Sequence, residues 1–75
     1  PLTYPIEHEG LRIAEVGLRR PTVGDHLLVA KLNLSDAERE VRLIANLAEL
    51  PPEAILKLDL KDYAAIQKAL AGFLS

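Results

Sequence analysis

Pro51 and Pro52 stand side by side in a 75-residue chain whose second half is rich in Leu and Ala. No α-helix runs through such a pair, because proline lacks a backbone N–H and its ring clashes with the preceding turn. The helical half is therefore cut in two. Upstream of the cut, Ser35-Asp36-Ala37-Glu38 has the spacing of a capping box, in which the Ser hydroxyl and the Glu carboxylate reciprocally satisfy exposed backbone donors at a helix start. A helix over about 35–49 is thus bounded at both ends. Within it Ala37, Val41, Ile44 and Ala48 form one apolar row and Leu43, Leu47 and Leu50 a neighbouring one, while Glu38, Arg39, Arg42, Asn46 and Glu49 fill the polar remainder.

Similar punctuation places the other helices. Thr22 precedes Asp25 by three residues, which caps a helix over about 22–31, and Asn33-Leu34 breaks it. Pro52 suits the first turn of a short helix over 52–57. Asp59 and Asp62 read as start charges of a last helix over 60–74, with Tyr63, Ile66, Leu70, Phe73 and Leu74 on one face and a small-residue row of Ala65, Ala69 and Gly72 beside it.

The first twenty residues alternate instead. Leu2, Tyr4 and Ile6 share one side, Glu7-His8-Glu9-Gly10 supplies turn chemistry, and Leu11 and Ile13 resume, which predicts a β-hairpin with strands over about 2–6 and 11–19. Leu11 and Ile13 are odd-numbered while Val16 and Leu18 are even-numbered, so a β-bulge near Ala14 and Glu15 is expected to restore the phase. Pro5, with no N–H for the ladder, puts the first strand at an edge. The expected fold class is α+β, with an N-terminal hairpin and three to four short helices in a single domain over 1–75.

A chain of 8.2 kDa buries only about 62% of its unfolded surface. Hydrophobic residues make up 49% of it, but only Tyr4, Tyr63 and Phe73 are aromatic, so many Leu and Ala side chains are expected near the surface, where a partner can reach them. The net charge of −2, with both signs spread along the chain, supplies no basic stripe for nucleic acid. The absence of Cys removes disulfides and thiolate chemistry and is simplest in a cytosolic compartment. No apolar run approaches the roughly 20 residues of a membrane span, and Glu7 and Glu9 are unlike a signal peptide.

Little in the sequence points to catalysis, and no enzymatic activity is expected. His8 and His26 have no second ligand at metal spacing, and Ser35 and Thr22 are occupied as caps, which leaves Ser75 at the terminus. The glycines at 10, 17, 24 and 72 make no phosphate loop. Asp59 with Asp62, or Asp36, Glu38 and Glu40, read more simply as helix-start charges than as an acid/base pair. Arg19-Arg20 either grips a partner's anionic group or ends a strand in solvent. No cofactor and no metal is expected; a small interaction protein is.

The segment Leu18-Arg19-Arg20-Pro21-Thr22-Val23-Gly24-Asp25, after a strand holding Ile13 and Val16, resembles a tail assembly chaperone family of Mu-like and related contractile-tailed phages. Ala45-Asn46-Leu47 before a Pro-containing corner, Leu58-Asp59-Leu60-Lys61-Asp62-Tyr63 and Ala71-Gly72-Phe73-Leu74 are similar to the closing half of the same proteins. The resemblance implies a non-catalytic protein that binds the tape measure protein in the bacterial host cytoplasm, keeps it soluble while the tail tube assembles, and is not carried into the mature virion. It also implies a longer form made by frameshifting near the end of the reading frame. The tail tube protein is a second candidate partner, and nucleic acid and membrane are not expected. Partner contacts are assigned to Leu27, Leu28, Val41, Ile44, Ile66, Leu70 and Phe73, with Arg19 and Arg20 at the rim. Self-association is a further expectation, from the Ala65, Ala69 and Gly72 row and the open hairpin edge. The competing reading is a small intracellular regulator or adaptor that binds another protein through an amphipathic helix face.

Overall fold

A computed structural model describes residues 1–74, and Ser75, named above among the few hydroxyls, lies outside them. The chain forms an antiparallel hairpin of β1 (Ile6–His8) and β2 (Leu11–Ile13), followed by α1 (Val23–Ala30), α2 (Asp36–Ala48), α3 (Pro52–Ile55) and α4 (Leu60–Leu74). The α+β class expected from the alternation and the caps is what the chain adopts.

The hairpin is shorter than its alternation suggests. Ile6 pairs with Ile13, Glu7 with Arg12 and His8 with Leu11, so Glu7 and His8 lie in the ladder and the turn is only Glu9-Gly10. Both turn residues have positive φ, 51° and 79°, the geometry of a two-residue hairpin turn whose twist matches that of the strands. Continued outward, the ladder would set Leu2 opposite Gly17, but the Leu2 N–H donates to the carbonyl of Ala14 at 2.8 Å. Leu2 and Tyr4 therefore lie outside the strand, with Pro5 at the break. No bulge forms at Ala14 and Glu15 either. β2 stops at Ile13, and the irregular stretch 14–22 absorbs the change of phase while still turning Val16 and Leu18 onto the core.

Both capping boxes form. The Thr22 hydroxyl accepts from the Asp25 N–H while the Asp25 carboxylate accepts from the Thr22 N–H, and Ser35 and Glu38 repeat the exchange at α2. Glu49 closes α2 in the left-handed region with φ 56°. Pro52 occupies the first turn of α3. Asp59 serves α4 as expected of a start residue, its Oδ1 accepting from the Lys61 N–H at 2.9 Å, but Asp62 turns inward and does something else, described below.

Two small apolar clusters hold these elements together. One gathers Ile44, Ala45 and Leu47 of α2 with Ile55 of α3 and Ile66 and Leu70 of α4, and the other seats Ile6 and Ile13 of the hairpin on Ala54 of α3. Val16, Leu50 and Leu58 border both and join them. The body measures 31 × 26 × 18 Å, so its thinnest dimension admits little more than two layers of secondary structure. Its accessible surface is 5253 Å², about a sixth more than the roughly 4,500 Å² that scaling gives a chain of this mass.

Candidate functional site

Among the described residues, three of the eight exposed large apolar side chains, Val23, Leu27 and Leu28, lie on α1. Its sequence, Val23-Gly24-Asp25-His26-Leu27-Leu28-Val29-Ala30, buries only Asp25 and Val29, which lie four residues apart on the inward face. Val23 (76% exposed) and Leu27 (52%), also four apart, lie on the opposite face, and Leu28 is exposed beside them.

A polar cluster sets where α1 lies. The Asp25 carboxylate receives Arg19 in a two-pronged pair, Nη2 to Oδ1 at 2.6 Å and Nη1 to Oδ2 at 2.7 Å, and Asn46 of α2 donates Nδ2–H to Oδ1 at 2.7 Å. The Arg19 guanidinium, helped by the Thr22 N–H, holds the Asp25 carboxyl well below the usual carboxylate range. The Asp25 carboxylate in turn raises Arg19, whose backbone N–H donates to the Leu47 carbonyl at 3.1 Å.

Between α1, α2 and α4 runs a groove made of two adjoining depressions of about 390 and 340 Å³, which share His26, Leu43 and Leu70. Arg39 and Glu40 flank one end; Pro21, Val23 and Leu74 (73% exposed) flank the other. His26 lies exposed where the two depressions meet, while Arg39 and Glu40 have partners within the chain. Arg39 pairs with Asp36 at 2.6 Å, and Glu40 Oε1 accepts both the Tyr63 hydroxyl at 2.8 Å and the Gln67 amide at 2.7 Å. Burial, and then the Glu40 carboxylate, push the Tyr63 phenol above its ordinary value. Among the described residues no group of three or more His, Cys, Asp or Glu is placed to hold a metal ion. The lining is mainly apolar, with His26 the polar side chain common to both depressions.

The residues singled out from sequence divide over this structure. Leu27 and Leu28 are exposed on α1, and Val41 is half-buried beside a second depression with Ala37, Pro52 and Leu56. Phe73 is half-buried on the other side of α4, where the Arg20 guanidinium stands 5.9 Å from its ring centre. Ile44 is fully buried, and Ile66 and Leu70 are nearly so. In the folded chain these three belong to the core cluster: their spacing marks the inward face of a helix and does not distinguish a neighbour in the same chain from a partner. Leu70 reaches the groove between α1, α2 and α4, and Ile66 lines a separate depression on the other side of α4. Arg19 is likewise committed to Asp25. Ala65 and Ala69 are exposed and line a separate depression with Phe73.

Sequence reasoning passed over Val23, Leu43 and Leu74 as surface and placed Asn46 with solvent. The cap spacing of Thr22 and Asp25 was visible in the sequence, but nothing local ties Asp25 to Arg19 or Asn46. Asp62 was also missed: its two oxygens accept the N–H groups of Thr3 and Tyr4 at 2.9 Å each, fastening the N-terminal segment to α4. Those two donors hold its carboxyl below the ordinary value.

The whole chain, residues 1–75, matches the family described as "Phage tail assembly chaperone proteins, E, or 41 or 14". The chain belongs to this family. The resemblance read from the Leu18-to-Asp25 segment and from the closing half is borne out, with the match covering the whole chain. No curated protein and no solved structure matches it. As a tail assembly chaperone it acts on proteins, during phage assembly in the host cell, and among its described residues no helix is long and apolar enough to cross a membrane.

Proposed function

We propose that this chaperone binds helical, apolar segments of the tape measure protein in the groove between α1, α2 and α4, keeping that long client soluble until the tail tube encloses it, and that it does so without catalysis. The observation that carries the reading is the apolar lining that Val23, Leu43, Leu70 and Leu74 give the groove, with Arg39 and Glu40 at its end already paired within the chain. A helix with an apolar stripe fits such a groove by burying that stripe, and needs no specific polar match to do so. Shallow contacts of this kind are individually weak. Several copies along one client hold it through multivalency, and each leaves when tube subunits offer a larger interface. The tail tube protein is the second candidate partner, as the subunit that replaces the chaperone, and the host cytoplasm is where the exchange would take place.

Co-expression with the tape measure protein tests this. The native chain should keep the client in the soluble fraction and co-purify with it. A Val23→Asp, Leu74→Asp double variant should lose both effects while its far-ultraviolet circular dichroism stays native. Leu60→Asp, at an equally exposed apolar position outside the groove, should behave like the native chain. Retained client solubility in the double variant would overturn the assignment of the groove.

A further inference from the structure

The bonds around Asp25 sort by the segment they join. Thr22 and Asp25 belong to α1 through their capping box, and Arg19 belongs to the body, because its N–H donates to the Leu47 carbonyl of α2. The change from body to α1 therefore falls at Arg20-Pro21. At the other end, the N–H groups of Leu32 and Leu34 donate to the carbonyls of Val29 and Leu32 nearby, and the Ser35 box belongs to α2. Among the described residues, three side-chain hydrogen bonds cross from the body to α1: two from Arg19 and one from Asn46. All three end on the Asp25 carboxylate. The only apolar side chain that α1 buries is Val29.

We propose that α1 is a hinged lid, latched to the body by the Asp25 carboxylate and opening as a unit about residues 20–21 and 32–34. An element with one buried apolar side chain and one polar latch opens at a lower free energy than the core it rests on. The capping box travels with the helix, so opening does not require it to unwind. Opening bares Val29 and the side of α2 beneath it, where Ala45, Asn46 and Leu50 lie. The apolar surface then includes both faces of α1. This inference concerns motion within the chain and does not depend on what the groove binds.

The chain has no Cys, so one introduced thiol reports on one site. In the full chain carrying Val29→Cys, thiol labelling should be slow with the latch intact. It should rise at least about tenfold when Asn46→Ala removes a bond that crosses the hinge and leaves the capping box untouched. Hydrogen exchange of the Ile44 to Leu47 amides should meanwhile be unchanged, and the Leu27 to Lys31 amides should exchange with less dependence on denaturant than these core amides. Simple fraying of a short helix would not respond to Asn46. If Asn46→Ala leaves labelling unchanged, the latch is wrong. If labelling and core exchange accelerate together, α1 leaves only on global unfolding and the lid is overturned.

Discussion

Asp62 and Tyr63 are neighbours on α4 whose titrations shift in opposite directions, and each makes a prediction that pH can check. The Asp62 carboxyl is held below its ordinary 3.8 by two backbone N–H groups. The sign follows from linkage: a lowered folded value adds stability that is fully present above the unfolded value and is lost as pH falls through the folded one. Glu38, lowered by the Ser35 hydroxyl and N–H, and Asp25 add to the same acid limb. Asp62→Asn should therefore lower the melting temperature at pH 7 and lessen its further drop between pH 5 and pH 2, read by thermal denaturation. Tyr63 works the other way. Its raised value favours the protonated phenol in the folded state, so stability is complete below about pH 10 and declines above it. Tyr63→Phe should remove that alkaline decline while also losing the hydrogen bond to Glu40.

At the scale of elements, the caps and turns are where small changes have calculable effects. Ser35→Ala removes the hydroxyl that receives the Glu38 N–H and should lower stability by about 1 kcal/mol, measured by chemical denaturation. Glu49 closes α2 at φ 56°, a conformation that glycine adopts without a Cβ penalty, so Glu49→Gly should raise stability by about 0.5–1 kcal/mol despite the extra freedom of the unfolded chain. These element ends were legible in the sequence for a common reason. A capping box, a proline pair and a helical repeat are local, and their physics lies within about four residues. The hairpin shows the limit. Leu2 and Tyr4 alternate properly with Ile6, yet Asp62, some sixty positions away, takes the backbone donors of Thr3 and Tyr4 and draws the segment out of the ladder. The site met the same limit, because Arg19, Asp25 and Asn46 come together only through the packing of α1 on α2.

For the molecule as a whole, the question left by periodicity is which apolar residues hold the chain together and which face outward, and stability and binding should separate them. Ile44 is wholly enclosed among Leu47, Ile55, Ile66 and Leu70. Ile44→Ala removes buried methyl and methylene groups and leaves a cavity that a thin, two-layer body has few other side chains to fill, at a cost of about 2–5 kcal/mol. Small domains have folding free energies near the low end of about 5–15 kcal/mol, so this one substitution should lower the melting temperature by many degrees. Leu27 is more than half exposed, and Leu27→Asp should change stability by no more than about 0.5 kcal/mol. Above the melting temperature of Ile44→Ala its loss of client binding would reflect unfolding, whereas loss by a folded Leu27→Asp would locate a contact. The pair is best read together, thermal denaturation first and client retention second, at a temperature where both variants remain folded. A large loss of stability in Leu27→Asp would place Leu27 in the core and move the contact surface off α1. Near-native stability in both, with client binding lost only in Leu27→Asp, would mean that the core has slack enough to close around Ile44→Ala while the outer face of α1 serves the client.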